Sequence, residues 1–263
     1  MKKYLVIGNP IEHSLSPNLH NHWLQENNIE GIYDKKKLNQ NEIKDIISKV
    51  RNNEIAGINV TVPFKKDVIP FLDKLSEESS ITQSVNTIYL ENDNVIGHNT
   101  DIFGFEHSLK IAKFNIKNKK ALILGAGGVV PSIIYSLEKG GALKISISNR
   151  TKSKADELKK LFVNLNVIEW GTLTDFDIII NATSVGLNDG DSIDIDFSEI
   201  KKGNFFYDVI YNPKVTNFLK IGKKSGAQVL NGKIMFVYQA FEAFKLWHKI
   251  SPVVNEKIFR LLD

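Results

Sequence analysis

An apolar run that ends in a glycine-rich loop constrains this chain more than any other segment. The run Ala-Leu-Ile-Leu at 121–124 is followed at once by Gly-Ala-Gly-Gly at 125–128, and apolar residues then recur at helical spacing through Leu137. Glycine is required where a backbone passes close to a pyrophosphate, because a Cβ atom would block the approach. The following helix offers free N–H groups to the anion. The segment therefore predicts a dinucleotide-binding strand, loop and helix, although Val130 stands where a full G-x-G-x-x-G pattern has its third glycine.

The end of the next strand indicates which dinucleotide is bound. A site for NAD usually places Asp or Glu about 20 residues after the loop, where it accepts a hydrogen bond from the ribose 2′-hydroxyl. Here the strand ends at Asn149-Arg150-Thr151, and no acid follows until Asp156. Arg150 offers a planar set of donors that suits a phosphate, and Lys154 adds a second cation. We therefore predict NADP rather than NAD.

Length and composition limit the class of protein. The 263 residues accommodate two ordinary domains, and 42% hydrophobic with 24% charged residues is typical of a globular chain. The apolar runs are too short for a membrane span of about 18 residues or for a secretory signal, so we expect a cytoplasmic protein that does not bind membranes. The chain has no cysteine, which excludes disulfides and thiolate catalysis. A net charge of +4 is too small to indicate a nucleic-acid partner.

Strand and helix patterns alternate along the chain. Strands are predicted at 4–7, 55–60, 86–90, 95–99, 121–124, 145–148, 178–180, 205–209 and 228–230. Helices are predicted at 41–50, 153–162 and 232–247, with one opening at Ser16-Pro17 (Ser16 as N-cap), one running from the glycine loop and one opening at Pro252. This alternation predicts an α/β fold with two domains, each an open, mostly parallel sheet with helices on its faces.

Four polar motifs precede residue 105. They are 8–17 (Gly-Asn-Pro-Ile-Glu-His-Ser-Leu-Ser-Pro), 57–65 (Gly-Ile-Asn-Val-Thr-Val-Pro-Phe-Lys), 85–87 (Val-Asn-Thr) and 97–101 (Gly-His-Asn-Thr-Asp). We expect each motif just past a predicted strand, at the carboxyl end where open α/β sheets bind ligands. Hydroxyls, amides, one lysine and one carboxylate suit a small polyhydroxylated ligand. The six histidines lack the spacing of metal ligands, so no metal is expected.

Together these motifs resemble the shikimate dehydrogenase family, which reduces 3-dehydroshikimate to shikimate with NADPH in the biosynthesis of chorismate and the aromatic amino acids. Later segments also match: 181–186 (Asn-Ala-Thr-Ser-Val-Gly), 208–213 (Asp-Val-Ile-Tyr-Asn-Pro) and 231–235 (Asn-Gly-Lys-Ile-Met). The resemblance covers nearly the whole chain. It implies an oxidoreductase with a substrate domain at 1–101 plus 235–263 and a Rossmann-like NADP-binding domain at 102–234.

The resemblance also implies roles for individual residues. Lys65 and Asp101 correspond to the catalytic acid–base pair. The implied substrate contacts are Ser14, Ser16, Asn59, Thr61, Lys65, Asn86, Asp101, Tyr211 and Gln239. The implied cofactor contacts are Gly125, Ala126, Gly127 and Gly128 at the pyrophosphate, Asn149, Arg150, Thr151 and Lys154 at the adenosine phosphate, and Thr183, Ser184, Val209, Gly232 and Met235 on the nicotinamide side.

Two departures from the family pattern concern the cofactor. Val129-Val130-Pro131 stand where the family often has a basic residue, and Lys154 stands where a second arginine is common. Lysine keeps the charge but lacks the planar donors of arginine. Two alternatives stay open: a quinate/shikimate dehydrogenase that uses NAD and NADP, and a non-catalytic regulatory module that binds shikimate and NADP. We expect a monomer or a homodimer.

Overall fold

The structure, a computed structural model, describes residues 1–188, 190–198 and 200–263. The chain divides into two compact units, one formed by Met1–Gly104 with Val237–Asp263 and the other by Phe105–Phe236. Each unit has its own sheet and helices. Within the described ranges, no helix has the length and hydropathy needed to cross a membrane.

Short strands alternate with helices along most of the chain. The strands are β1 (Lys2–Gly8), β2 (Gly31–Lys37), β3 (Gly57–Val60), β4 (Lys74–Leu75), β5 (Thr87–Glu91), β6 (Asn94–His98), β7 (Lys120–Leu124), β8 (Lys144–Ser148), β9 (Asn166–Ile168), β10 (Ile178–Asn181), β11 (Phe205–Asp208) and β12 (Gln228–Leu230). The α-helices are α1 (Ser16–Glu26), α2 (Ile43–Arg51), α3 (Glu77–Thr82), α4 (Asp101–Ile111), α5 (Val130–Lys139), α6 (Lys152–Leu161), α7 (Asn217–Lys224), α8 (Lys233–His248) and α9 (Glu256–Arg260).

The sheet of the first unit has the strand order β2-β1-β3-β5-β6-β4. β1 pairs in parallel with β2 and β3, whereas β5 runs antiparallel to both β3 and β6. The prediction that every polar motif follows a strand is therefore wrong for Asn86, which precedes β5. Because β5 is antiparallel, its N-terminal end lies at the same edge as the carboxyl ends of β1, β3 and β6.

β5 and β6 form a tight hairpin. Glu91 pairs with Asn94, and the two residues between them, Asn92 and Asp93, have positive φ values of 50° and 60°. Positive φ at both central residues is the geometry of the turn that matches the twist of hairpin strands, and Asn and Asp tolerate it. The hairpin thus carries Asn86 at its start and Asn99 to Asp101 after its end.

The apolar residues of helix α2 form part of the hydrophobic core of the first unit. Its buried residues recur at helical spacing and are Ile43, Ile46, Ile47 and Val50. They belong to one hydrophobic cluster with Ile7 of β1 and Ile58 of β3. Burying an isoleucine side chain contributes roughly 1.5–3 kcal/mol, so this face fixes the helix to the sheet.

Two predicted helix starts are wrong. Ser16 is the first residue of α1 rather than its N-cap, and its backbone N–H donates to the Ser14 hydroxyl instead. Pro252 precedes α9 by several residues, because Asn255 is the N-cap and its side chain accepts from the Ile258 N–H.

The sheet of the second unit has the order β12-β11-β10-β7-β8-β9, and all its pairs are parallel. Both faces are covered, since Ile123 of β7 belongs to one hydrophobic cluster and Leu122 to another. This explains the uninterrupted apolar run, which is typical of strands buried on both faces. The strand order changes direction at β7, and ligands of such sheets bind at the carboxyl edge beside this switch. The two α/β units confirm the predicted fold class.

His20 lies in an aromatic cluster of the first unit. Its ring stacks on Tyr33 with 4.3 Å between centroids, and Trp23, Phe244 and Trp247 surround it. Neither ring nitrogen has a hydrogen-bond partner among the residues that the structure describes. Burial lowers the pKa of His20 to about 3, because the imidazolium would lose its hydration there.

This burial predicts a pH effect on stability. Below its ordinary pKa of 6.5, His20 takes up a proton in the unfolded chain but stays neutral in the native state down to about pH 3. The free energy of unfolding should therefore fall as the pH is lowered through this window, by at most about 1.4 kcal/mol per pH unit. Urea denaturation between pH 7 and pH 4 measures the slope. His20→Phe should be less sensitive to acid than the wild type, whereas His13→Phe, at an exposed position, should follow the wild type. Equal slopes in His20→Phe and the wild type would contradict the prediction.

Candidate active site

A buried ion pair lies at the edge of the first sheet where β3 and β6 end. The Lys65 Nζ contacts Oδ2 of Asp101, and the two residues are only 8% and 6% exposed. A lysine is rarely buried without a paired acid, because its charge would lose hydration without compensation. Asp101 is the first residue of α4, where the positive end of the helix dipole favours a carboxylate.

Asn86 holds the other oxygen of this carboxylate. Its Nδ2 donates to Asp101 Oδ1 at 2.9 Å and to Thr100 Oγ1 at 2.9 Å. Its own Oδ1 accepts from the backbone N–H of Thr100 at 2.7 Å. Gln239 Oε1 lies 3.5 Å from the same Nδ2. Asp101 is therefore oriented so that one oxygen faces the amide and the other faces Lys65.

Asn59 connects this pair to the start of α1. Its Nδ2 donates to the Asn86 carbonyl oxygen at 3.2 Å and to Thr87 Oγ1 at 3.1 Å, while its Oδ1 accepts from the Tyr33 hydroxyl at 2.7 Å. Ser16, the first residue of α1, lies near the same Tyr33 hydroxyl. Both amide hydrogens of Asn59 are used inside the protein, so its side chain is suited to position its neighbours. A direct contact of Asn59 with substrate stays a prediction.

The remaining predicted substrate residues of the first unit lie on loops at the same edge. Ser14 is partly exposed just before α1, and Thr61 is partly exposed just after β3. Gly8 permits the loops after β1 and β3 to approach each other, since a Cβ there would lie 2.5 Å from the Thr61 methyl group. Tyr211 belongs to the second unit, where its ring stacks on Phe236 with 4.5 Å between centroids.

The glycine loop of the second unit follows β7 at the switch in strand order. Gly125 has a φ of +103°, and a Cβ there would lie 2.8 Å from the Ala182 carbonyl oxygen. No other residue suits that position. Gly127 and Gly128 are exposed, and α5 begins at Val130 directly behind them. This cradle and helix start fit the pyrophosphate of a dinucleotide.

The predicted phosphate residues lie at the end of the neighbouring strand. Asn149, Arg150 and Thr151 follow β8, and the Asn149 amide donates to the Thr151 carbonyl oxygen at 2.7 Å. Arg150 and Lys154 are both exposed, so their cations are accessible to a ligand. Their side-chain chemistry fits a phosphate group.

The other predicted cofactor residues follow β10 and β11 or begin α8. Thr183 is partly exposed and Ser184 exposed, and the Thr183 hydroxyl donates to Asn181 Oδ1 at 2.7 Å. The backbone at Gly232 passes very close to Val209. A Cβ at this glycine would lie only 1.9 Å from the Val209 carbonyl oxygen. Met235 is buried in the core of the second unit, at 4% exposure.

Asp208, at the end of β11, has a hydrogen-bonding role that sequence reasoning missed. Its carboxylate is completely buried and accepts from Asn181 Nδ2 at 3.0 Å, the Ile210 N–H at 3.0 Å and Thr216 Oγ1 at 2.6 Å. Burial raises the pKa of Asp208 to about 6, and these hydrogen bonds oppose the shift. The signal in the sequence is an acid that directly follows the apolar residues of a buried strand.

Comparison with known proteins supports the assignment of both units. Residues 6–88 match the family model of the shikimate dehydrogenase substrate binding domain, and residues 107–188 match that of shikimate / quinate 5-dehydrogenase. The shikimate dehydrogenase (NADP(+)) of Pelagibacter ubique (strain HTCC1062) is 57% identical over 262 residues, which cover 100% of this chain and 99% of that protein.

Solved structures agree with these matches. The crystal structure of shikimate dehydrogenase from Aquifex aeolicus is 38% identical, with a TM-score of 0.92 over 100% of this chain and 97% of that one. The structure of shikimate 5-dehydrogenase from Thermus thermophilus in complex with NADP(H) and shikimate is 30% identical, with a TM-score of 0.90 over 100% and 98% of the two chains. The resemblance inferred from the motifs is confirmed: this chain belongs to the shikimate dehydrogenase family.

Proposed function

We propose that this chain is an NADP-dependent shikimate dehydrogenase that reversibly reduces 3-dehydroshikimate to shikimate, with Lys65 and Asp101 as its acid–base pair. The observation that carries the proposal is the buried ion pair between these side chains, in a chain of this family. In the cell the reaction would serve the biosynthesis of chorismate and the aromatic amino acids.

Lys65 has the chemistry that reduction of a carbonyl group needs. When bound, NADPH supplies the hydride that adds to the carbonyl carbon. Negative charge then develops on the carbonyl oxygen, and the Lys65 ammonium stabilises that charge and donates its proton to the oxygen. In the reverse direction the neutral amine of Lys65 accepts the proton of the substrate hydroxyl.

Asp101 orients the lysine. Its carboxylate contacts the Lys65 ammonium through Oδ2. Its Oδ1 is held by Asn86 at 2.9 Å. The substrate carboxylate is bound by Ser14, Ser16 and Tyr211. The ring hydroxyls form hydrogen bonds with Thr61, Asn86, Asp101 and Gln239.

The second unit binds the cofactor. The loop at 125–128 and the start of α5 take the pyrophosphate, because glycine permits close approach and the helix start favours an anion. Residues 149–151, with Lys154, take the 2′-phosphate of the adenosine. Thr183, Ser184, Val209, Gly232 and Met235 line the nicotinamide side.

An assay with two substrates and two cofactors tests the proposal. Absorbance of the reduced nicotinamide is followed with shikimate or quinate, each with NADP or NAD. We expect fast reduction with shikimate and NADP only. Comparable rates with quinate or NAD would favour the alternative of a quinate/shikimate dehydrogenase that uses NAD and NADP. Binding of both ligands without any turnover would contradict the enzymatic proposal and favour the regulatory module.

The cofactor preference gives a sharper prediction at Arg150. Arg150→Gln removes a charge-assisted hydrogen-bond donor, whose bond to a phosphate is worth about 1.5–3 kcal/mol. We expect the KM for NADP to rise about 10- to 100-fold, since 1.4 kcal/mol corresponds to a factor of ten. The KM for NAD should change little, because NAD lacks the 2′-phosphate. Arg260→Gln, at an exposed arginine of the first unit, is the control and should leave both KM values unchanged. Equal increases for NADP and NAD would contradict this role.

A further inference from the structure

Asp208 is a buried carboxylate whose partners carry no charge. It is 0% exposed, and its hydrogen bonds come from an amide, a backbone N–H and a hydroxyl. Burying an ionisable group away from water is costly, and uncharged partners compensate only in part. Without this acceptor the buried donors of Asn181, Ile210 and Thr216 would lose a hydrogen bond, so Asp208 holds these three residues in place.

These hydrogen bonds connect the end of β10 to the segment between β11 and α7, at the carboxyl edge of the second sheet. Oδ1 accepts from Asn181 Nδ2, at the end of β10, and from the Ile210 N–H, just after β11. Oδ2 accepts from the hydroxyl of Thr216, which is the N-cap of α7. Asn181 and Asp208 lie opposite each other in the β10–β11 pair.

The carboxylate determines which way the Asn181 amide points. An ionised carboxylate can only accept hydrogen bonds, so it requires the NH₂ group of Asn181 to face it. The amide oxygen of Asn181 then points the other way and accepts from the Thr183 N–H at 3.1 Å and the Thr183 hydroxyl at 2.7 Å. The same Nδ2 also donates to the Val185 carbonyl oxygen at 3.1 Å.

The segment held in this way borders the glycine loop. The Ala182 carbonyl oxygen lies 2.8 Å from the position of a Cβ at Gly125. The segment after Asn181 therefore packs directly against the glycine loop. We propose that Asp208 is a positioning residue, which acts through Asn181 to hold residues 182–184 in the conformation that binds the nicotinamide side of NADP. This inference rests on the proposed function, because it assigns cofactor contacts to Thr183 and Ser184.

Three variants separate positioning from general stability. Asp208→Ala removes one of the two acceptors of Asn181 Nδ2 and leaves the Val185 carbonyl oxygen as the other. Asp208→Asn keeps a side-chain oxygen that can accept from Asn181 and from the Ile210 N–H. Thr216→Ala removes the other hydrogen bond of Asp208 and the N-cap of α7, so it destabilises the second unit without freeing the Asn181 amide.

Calorimetry with NADP and, separately, with shikimate gives the first readout. We expect Asp208→Ala to raise the Kd for NADP at least tenfold and to leave the Kd for shikimate within twofold of the wild type. Asp208→Asn and Thr216→Ala should both stay within about threefold of the wild type for NADP. An unchanged Kd in Asp208→Ala, or an equal rise in Thr216→Ala, would overturn the proposal.

Amide hydrogen exchange in the cofactor-free protein gives the second readout. Residues 182–185 should exchange faster in Asp208→Ala than in the wild type, and at the wild-type rate in Asp208→Asn. If Asp208→Ala fails to fold, Asn181→Ala takes its place with the same expected results. Failure of the wild type to bind NADP would refute the proposed function, whereas unchanged exchange at 182–185 would refute the positioning role itself.

Discussion

Replacing Lys65 by alanine is expected to lower kcat for shikimate oxidation by about 10³-fold or more, while the KM for shikimate changes less than about tenfold. A general acid contributes roughly 10²–10⁴ to a rate, and the same ammonium also stabilises the developing charge on the oxygen. Both effects are larger in the transition state than in the bound substrate, so their loss should lower kcat more than it weakens binding.

The neighbouring lysine provides the control. Lys66 is exposed one position further along the chain, and Lys66→Ala should keep the wild-type kcat and KM. Because Lys65→Ala leaves the Asp101 carboxylate buried without its cation, thermal unfolding must be measured beside the kinetics. A loss confined to KM, with kcat preserved in a folded variant, would show that Lys65 binds substrate without donating the proton.

Gly232→Ala is expected to lower the free energy of unfolding of the second unit by about 3 kcal/mol or more and to weaken NADP binding. The added Cβ would lie 1.9 Å from the Val209 carbonyl oxygen, so the backbone itself must move. Overpacking that a flexible side chain cannot relieve typically costs about 1–3 kcal/mol, and occasionally more. Val209 and Tyr211 both belong to the proposed site and are only two residues apart. A displacement of the backbone at Val209 would therefore affect both.

Chemical denaturation of the variant and the wild type measures the effect. Gly203→Ala is the matched control, because a Cβ at Gly203 meets no atom within 4 Å, and its stability should match the wild type within about 0.5 kcal/mol. An unfolding midpoint of Gly232→Ala equal to that of Gly203→Ala would show that the loop before α8 moves at little cost.

The strand, loop and helix of the proposed dinucleotide-binding segment could be predicted from sequence because their determinants are local. β7 is buried on both faces, which makes its apolar run continuous, and Gly125 follows it directly. The same holds for the position of Arg150, which lies at a strand end that an apolar run also marks. Both predictions use patterns that lie between residues 121 and 154, and no contact between distant segments is needed to recognise them.

Features that depend on neighbouring strands could not be predicted in this way. β2 was missed because it is an edge strand with only Tyr33 buried, and its exposed lysines give it no alternating pattern. Charged residues on such an edge also discourage pairing with other chains. The hydrogen-bonding role of Asp208 was missed because Asn181 becomes its neighbour only when β10 and β11 pair.

The position of Asn86 shows a third limit. An apolar run indicates a strand but not its direction in the sheet, so a residue that precedes β5 was placed after a strand. Only the pairing of β5 with β3 and β6 places this amide beside Asp101. The residue type of Asn86 indicated a polar site, whereas its hydrogen-bond partners could be known only from the way the strands pair.

The tight hairpin of β5 and β6 has a consequence for how the protein folds. Asn86 and Thr100 are only 14 residues apart in the chain, and the hairpin alone brings them into hydrogen-bonding distance. Hairpins form in about 1–10 μs, and closing so short a loop loses less chain entropy than joining the parallel strands β1 and β3. We expect the acidic half of the proposed catalytic pair to be oriented early, by one local event. Lys65 then joins a carboxylate that is already held in place.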